Sequence, residues 1–282
     1  MAPRADGRSV SEMRSLTGIF ERLDRVDGSA SFGFGETKAL ASVSGPIEVR
    51  LAVEQPSKAT FEVTLRPLSG IPGTESKSLS ASLRSVLAPS LILTRNPRTL
   101  VQLVFQSLTP SHSTHSPFYP SLVASFINAS TLALLSVGSV PMSGVVCAVA
   151  VARIRSSDLN TSQPAPTLTL VLDPTEDESL ASEGGGCFAF IFASDPADAG
   201  TGVVAKLVWT DWKAAKGTFD EGELSRATQL AKVGAERVRE KMKDSVRSLD
   251  GSSDTSTTLK AEDNQKEAME VEEDVDDAKM EI

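Results

Sequence analysis

The sequence predicts a mixed α and β domain followed by an acidic tail, on three observations. Residues Thr60–Arg66 alternate strictly between polar and apolar side chains, which is typical of a strand with one buried face. Residues Leu122–Val137 are apolar on most sides, as in a central helix that is covered from both sides. After Leu249 the chain becomes polar and acidic without aromatic residues, a composition typical of disorder. We therefore expect residues 1–249 to form one domain and residues 250–282 to form a disordered acidic tail.

In the first half of the domain, strands are expected to precede the first helix. A flexible start is expected up to about Glu12. The helical spacing of Leu79, Leu83 and Val86 predicts a helix between residues 71 and 97. Strands are expected at Gly28–Phe34, Thr37–Val43, Thr60–Arg66 and Arg98–Leu108, and a loop at Thr109–Pro120.

The second half of the domain is expected to continue with strands and to end in a helix. Four apolar segments have the length of strands: Gly144–Ile154, Thr167–Leu172, Cys187–Ala193 and Val203–Trp209. Thr218 and Glu221 have the spacing of a capping box and predict the start of the final helix. Because strands and helices interleave after a hairpin-like opening, the fold class is predicted to be mixed α and β and not a purely parallel sheet.

The net charge of −9 is unevenly distributed along the chain. Residues 251–282 hold eleven acidic and three basic side chains, whereas the preceding 250 residues hold 26 acidic and 25 basic ones. The domain is therefore nearly neutral. A local basic surface could still bind phosphates, so the overall acidity does not exclude a nucleic-acid partner.

Hydropathy and cysteine content predict an intracellular protein with no membrane partner. No uninterrupted apolar run approaches the roughly 20 residues that cross a bilayer, and the first residues lack the apolar stretch of a signal peptide. Cys147 and Cys187 lie far apart within apolar runs. We expect both to be reduced thiols in the core, because metal sites need clustered ligands.

One group of residues has the composition of a catalytic or metal site. Five acidic residues lie between two predicted strands: Asp173, Glu176, Asp177, Glu178 and Glu183. Paired carboxylates can bind Mg²⁺ or act as a general base in phosphoryl transfer. Acidic loops also occur for solubility alone, and the residues by themselves favour that interpretation. His112 and His115 have no acidic or cysteine ligand nearby, so a surface loop is predicted there, and no metal or cofactor is expected.

Several short motifs occur in the same order as in a known family. They are Arg-Ala-Asp-Gly-Arg at residues 4–8, Asp-Gly-Ser-Ala at 27–30, Gly-Glu-Thr-Lys at 35–38, Gly-Pro-Ile-Glu-Val at 45–49, Pro-Arg-Thr at 97–99 and Gly-Ser-Val-Pro-Met at 138–142. On these motifs residues 4–248 resemble proteins of the RNase PH family. The resemblance implies an α+β fold of the RNase PH type. In that fold, duplicated βαβ units form two mixed sheets that flank central helices, an arrangement like that of ribosomal protein S5 domain 2.

Further segments resemble the members of this family that form the ring of the RNA exosome. They are residues 58–67, 70–73, 121–129 and 172–175. The resemblance implies a ring of six RNase PH-like subunits, arranged as three heterodimers around a channel that carries RNA. The implied partners are the other ring subunits, the S1/KH cap subunits, the catalytic exosome nucleases and RNA. The implied role is 3'-to-5' RNA processing and degradation, including rRNA maturation, in the nucleus, nucleolus and cytoplasm.

The chain departs from the active members of the family at the positions that bind phosphate. Leu122 and Ala81 stand where the resemblance implies two arginines. An apolar side chain cannot neutralise phosphate, and losing one such contact costs on the order of 2–4 kcal/mol of transition-state stabilisation. Because the start of a helix often lies beside solvent, a Leu122→Arg substitution is expected to be structurally mild.

The acidic pair of the active members is only partly kept. Asp177 and Glu183 have the six-residue spacing of the two aspartates in active members. If the following strand sets the alignment, however, Gly186 occupies the second acidic position. With both arginines missing, the resemblance implies a degenerate active site and no enzymatic activity.

Two functional hypotheses follow. In the first, the chain is a non-catalytic ring subunit that offers Lys77, Arg84 or Arg95 to RNA phosphates. Each of these cations could equally be a surface charge or part of an intersubunit salt bridge. In the second, the chain is a metal-dependent or phosphorolytic nuclease that uses Asp177 and Glu183, as a homodimer. The missing arginines favour the first hypothesis, and an acidic tail that docks a basic partner is compatible with either.

Overall fold

The structure is a computed structural model of the chain. It describes residue 4 and residues 6–68, 71–110, 118–155, 168–194 and 203–277, with side chains described as far as residue 249. Residues 1–242 form one compact unit and residues 243–282 form a second. His112 and His115 lie outside the described residues, as do the side chains of the tail.

The first half of the chain forms a five-stranded mixed sheet. Its strands, in the order β1-β2-β3-β5-β4 across the sheet, are β1 Leu16–Phe20, β2 Gly28–Phe34, β3 Thr37–Glu48, β5 Thr99–Ser107 and β4 Thr60–Arg66. The neighbouring strands are antiparallel except for β4 and β5, which are parallel. A parallel pair needs a crossover connection, and helix α1 at Thr74–Leu87 supplies it. The predicted helix of this half is confirmed as α1, and the four predicted strands are confirmed as β2 to β5. Strand β1 was not predicted.

The second half forms another five-stranded sheet. Its strands are β6 Val145–Arg155, β7 Leu168–Leu172, β8 Gly184–Ser194, β9 Val203–Thr210 and β10 Lys213–Ala214. All described pairings in this sheet are antiparallel, so only the first sheet is mixed. A short helix, α3 at Glu176–Ala181, connects β7 to β8. The acidic segment that was predicted to be a loop is therefore partly helical.

Helix α2, at Pro120–Val137, lies between the two sheets and contacts strands of both. It is long and apolar enough to pass as a membrane span, but most of it is buried inside the domain. Its polar side chains are bonded within the protein. In the side chain of Asn128, for example, Nδ2 donates to the backbone carbonyl of Ala148 (2.9 Å), and Oδ1 accepts from the backbone N–H of Ala148 (2.8 Å). Buried polar groups need such partners, and these bonds fasten α2 to β6.

Helix α4 begins at Glu221 and extends to Asp277. The side of α4 that packs into the core is apolar: Ala227, Ala231, Ala235 and Val238 are fully buried. The predicted capping box is wrong: the side chain of Asp220, rather than Thr218, accepts a hydrogen bond from the Glu223 amide (2.7 Å). Asp220 thus provides an acceptor for one of the backbone N–H groups that have no partner within the first turn of a helix.

The buried cysteines agree with their prediction as core thiols. Cys147 and Cys187 are both buried and not disulfide-bonded. Burial raises the pKa of each thiol well above its ordinary value. Neutral, inert thiols are expected from such surroundings.

Candidate functional site

Leu122, at the third residue of α2, lies inside the hydrophobic core. Its side chain is 1% exposed. Its amide and that of Val123 donate to the Tyr119 carbonyl (3.0 and 3.1 Å), and the Ser121 hydroxyl donates to the Pro174 carbonyl (2.7 Å). The polar groups at this helix start therefore have partners within the chain. The expectation that position 122 lies beside solvent is wrong, because Leu122 belongs to the hydrophobic core that surrounds α2.

Ala81 has very different surroundings. It is exposed on α1, where it lines a groove of about 880 Å³ together with Lys77 and Arg84. These three residues lie on one face of the helix, at the three- and four-residue spacing of neighbours on a helix surface. Arg95, the third predicted RNA contact, is exposed in a separate 3₁₀ turn at Leu93–Arg95. Among the predicted RNA contacts, the fold brings together Lys77 and Arg84.

The two acidic candidates lie in different environments. Asp177 is exposed in the first turn of α3. Glu183 is 8% exposed and its carboxylate is ion-paired with Arg155. Within the described part of the chain, no three or more His, Cys, Asp or Glu side chains are grouped in a way that could hold a metal ion.

The acidic residues at the start of α3 have a structural explanation. The Thr175 hydroxyl accepts from the Glu178 amide (3.2 Å), and the Glu178 carboxylate accepts from the Thr175 amide (2.8 Å). This reciprocal pair is a capping box. Negative charge in the first turn also interacts favourably with the helix dipole. Cap formation thus accounts for acidic residues that sequence alone could assign to chemistry.

The glycine run before Cys187 lets the backbone of a neighbouring segment approach β8 closely. A Cβ atom added at Gly186 would lie 2.7 Å from the Cα atom of Trp212, and one at Gly184 would lie 2.7 Å from the Lys213 carbonyl oxygen. Contacts this short with backbone atoms require the chain to move. The space that an acidic side chain at position 186 would need is therefore occupied by the segment that leads into β10.

A buried polar network connects the N-terminal segment to the end of β7. The guanidinium of Arg14 donates to both carboxylate oxygens of Asp173 (2.9 and 2.6 Å) and to the Thr37 hydroxyl (2.9 Å). Thr37 in turn is hydrogen-bonded to the hydroxyl of Tyr119 (2.9 Å), just before α2. Burial acts to lower the pKa of Arg14, but its bonds to Asp173 raise it overall. Burial raises the pKa of Tyr119 despite the bond to Thr37.

A second arginine extends this network to α3. The Arg4 side chain is fully buried, ion-paired with Glu178, and donates to the carbonyls of Leu172 (2.8 Å) and Asp173 (2.9 Å). Burial acts to raise the pKa of Glu178, but its bonds from Arg4 and from the Thr175 amide leave it below the ordinary value. The expected flexible start is therefore wrong at Arg4, which is anchored.

The sequence singles out Arg4 and Asp173 but does not predict their ion-pair partners, Glu178 and Arg14. Arg4 is 174 residues from Glu178, and Arg14 is 159 residues from Asp173. Local periodicity carries no information about contacts at such separation. The available signal was an arginine-rich start and an aspartate directly after an apolar strand.

Comparison with protein families identifies a matching model over residues 12–139. This model is described as the 3' exoribonuclease family, domain 1, of RNase PH type. The match spans the first sheet, α1 and α2.

Individual relatives extend the similarity to the second sheet. The chain is 30% identical over 208 residues to the exosome complex component RRP46 of Saccharomyces cerevisiae, covering 74% of this chain and 84% of that protein. It is 27% identical over 252 residues to the exosome complex component Rrp41 of Archaeoglobus fulgidus, covering 86% of each. The crystal structure of rice Rrp46 superposes with a TM-score of 0.68 at 22% identity, covering 86% of this chain and all of the rice chain.

Proposed function

We infer that this chain, which belongs to the RNase PH family of 3' exoribonucleases, is a ring subunit of the RNA exosome, and we propose that it catalyses nothing itself. Exosome subunits are among its relatives along most of its length. The main support for a non-catalytic role is the burial of Leu122 in the core. The resemblance implies a phosphate-binding arginine at this position in active members. A subunit without an anion site there contributes architecture to RNA processing and degradation, including rRNA maturation.

Two further observations support a role without catalysis. The Glu183 carboxylate is ion-paired with Arg155, and Asp177 stands exposed in the first turn of α3. Gly186 cannot become acidic without displacing the backbone at Trp212. Effective catalysis of phosphoryl transfer needs positioned charges on both the anion and the nucleophile. The two missing arginines, the paired Glu183 and the lack of space for an acidic side chain at position 186 support this proposal.

The proposed partners are those of an exosome ring. They are the other RNase PH-like ring subunits, the S1/KH cap subunits, the catalytic exosome nucleases and RNA in the central channel, at sites of exosome activity in the nucleus, nucleolus and cytoplasm. Arg95, Lys77 and Arg84 are exposed and are our candidates for phosphate contacts. Contacts of this type are sequence-independent and weaken with salt.

A degradation assay on the purified chain tests the non-catalytic role. We expect no shortening of oligo(A) with either phosphate or Mg²⁺ present. An active member of the family, assayed in parallel, should shorten the same oligo(A). Turnover that disappears in the Asp177→Asn variant would show a working nuclease and overturn the proposal. Turnover that persists in that variant would indicate a contaminating enzyme. Further purification of the variant should then remove the activity.

A further inference from the structure

We propose that the groove between β4 and α1 distinguishes RNA from DNA. In this proposal its three cations bind phosphates, and its two carboxylates accept hydrogen bonds from ribose 2′-hydroxyl groups. The inference rests on the proposed function, because it takes RNA as the ligand. It deepens that function by adding Arg50 to the candidate phosphate contacts and by naming the residues that select the sugar.

The groove has a volume of about 880 Å³, and five of the residues that line it are charged. The cations are Arg50, Lys77 and Arg84, and the carboxylates are Glu48 and Glu62. All five residues are exposed. The groove therefore attracts a polyanion, but it also offers two strong hydrogen-bond acceptors that a purely cationic surface lacks.

These five side chains have no partner within the described part of the chain. No ion pair and no side-chain hydrogen bond between described residues involves them. By contrast, Glu54 is ion-paired with Arg98 (3.4 Å). Opposite charges thus line one groove without neutralising each other, and each side chain keeps its full hydrogen-bonding capacity for a ligand.

The carboxylates lie on the sheet side of the groove. Glu48 is the last residue of β3, and Glu62 lies on β4 opposite Gln102 of β5, which also lines the groove. Two of the cations, Lys77 and Arg84, lie on α1. They are two helical turns apart, or about 10 Å along the axis. A nucleic-acid strand in the groove would therefore turn its phosphates towards α1 and its sugars towards the sheet.

RNA matches both kinds of group in the groove. Its phosphates bind the cations, and its 2′-hydroxyl groups are donors that a carboxylate can accept. DNA has the same phosphates but no 2′-hydroxyl group, so the carboxylates would only repel it. An acidic protein segment would likewise bind the cations and be repelled by Glu48 and Glu62. The combination of unpaired cations and unpaired carboxylates thus favours RNA over both alternatives.

Fluorescence anisotropy of the purified full-length chain with labelled oligo(A) and oligo(dA) of equal length tests this inference. The measurements are made at low salt, because phosphate contacts weaken as salt rises. We expect oligo(A) to bind about tenfold more tightly than oligo(dA), as a hydrogen bond to a charged group predicts.

The test variant is Glu48→Ala/Glu62→Ala. We expect its affinities for the two oligonucleotides to lie within about twofold of each other, because the groups that bind the 2′-hydroxyl are removed. The matched control is Asp24→Ala/Glu36→Ala, which removes two exposed carboxylates outside the groove and changes the net charge equally. The control should keep the preference for RNA, and melting temperatures verify that both variants fold.

A third variant tests the cations. Arg50→Ala/Lys77→Ala/Arg84→Ala should weaken the binding of oligo(A) and oligo(dA) by the same factor and lower the salt dependence of both. Unchanged affinity for oligo(A) in this variant would show that RNA binds elsewhere and would contradict the inference.

The remaining outcomes separate this inference from the proposed function. Equal binding of the two oligonucleotides to the unmodified chain, or no binding of either, contradicts the inference. So does a preference for RNA that the test variant keeps or that the control also loses. Recovery of exosome subunits with the tagged chain from its own cells tests the proposed function independently. If subunits are recovered but RNA is not preferred, only the selection by the groove is wrong.

Discussion

Leu122 and Ala81 stand at the two positions where active relatives are expected to carry arginine, yet their surroundings differ. Ala81 is exposed on α1, whereas Leu122 is 1% exposed within the core. An arginine side chain can extend from the first position into water. At the second position its charge would be buried without a partner, which is costly. The absence of arginine therefore has a different structural meaning at each position. At position 81 it changes only the surface, whereas at position 122 leucine is part of the packing around α2.

We predict that Leu122→Arg destabilises the fold by about 3–5 kcal/mol, as expected for an uncompensated buried charge. Ala81→Arg, the matched control, should change stability by no more than about 0.5 kcal/mol, as is usual for surface substitutions. Urea unfolding followed by circular dichroism measures both values. Equal stability of the two variants would show that the side chain at position 122 reaches solvent.

At the scale of secondary-structure elements, the N-terminal segment holds α3 and the end of β7 in place. Arg4 binds Glu178 of α3 and two carbonyls at the end of β7, and Arg14 binds Asp173. A six-residue helix such as α3 is too short to be stable alone. Its position depends on the cap and on Arg4. The start of the chain therefore helps to fix the position of α3, which carries Asp177.

We predict that Glu178→Gln lowers stability by about 1–3 kcal/mol near pH 7, because it weakens a hydrogen bond to a charged, fully buried partner. The pKa of Glu178 is lower in the folded state than its ordinary value. The stabilisation is therefore present above the ordinary glutamate value of about 4.3 and is lost as pH falls through the folded-state pKa.

Unfolding free energies measured from pH 7 down to pH 3 check this prediction. The difference between the unmodified chain and the variant should be largest at pH 7 and should shrink below about pH 4. Glu75→Gln, which removes an exposed carboxylate from α1, serves as the control. A difference that stays constant over this range would show that the charge of Glu178 is not responsible.

At the scale of the whole molecule, the domain is built around α2 and the acidity belongs to the tail. Two sheets cover α2, and their core includes apolar residues of α1 and of the first part of α4. Residues 251–282 carry eleven acidic side chains and few apolar ones. Apolar burial is the main term that offsets chain entropy. A segment without it contributes little to the stability of the domain.

We predict that truncation after Leu249 leaves folding and ring assembly unchanged. The melting temperature should stay within about 2 °C of the full-length value, because no large apolar surface is removed. Differential scanning calorimetry and co-purification of ring subunits measure the two properties. A loss of several degrees would show that the tail packs on the domain.

The sequence by itself determined most of the elements and the family. The alternation in Thr60–Arg66 predicted β4, and the apolar character of Leu122–Val137 predicted α2, because strand and helix periodicities are local properties. The motifs at residues 4–8 and 45–49 indicated the family for the same reason: they are short and continuous in the chain. Capping was less predictable, since Thr218 and Asp220 both have suitable side chains and only the backbone path selects Asp220.

Only the tertiary structure decided what the candidate site is. The burial of Leu122 follows from the core that both sheets build around α2, and the lack of space at Gly186 follows from the close approach of the backbone at Trp212. The pairing of Arg14 with Asp173 joins residues 159 positions apart. Each of these facts depends on which distant segments become neighbours. Sequence periodicity reports which face of an element is buried, but it does not report what that face is buried against.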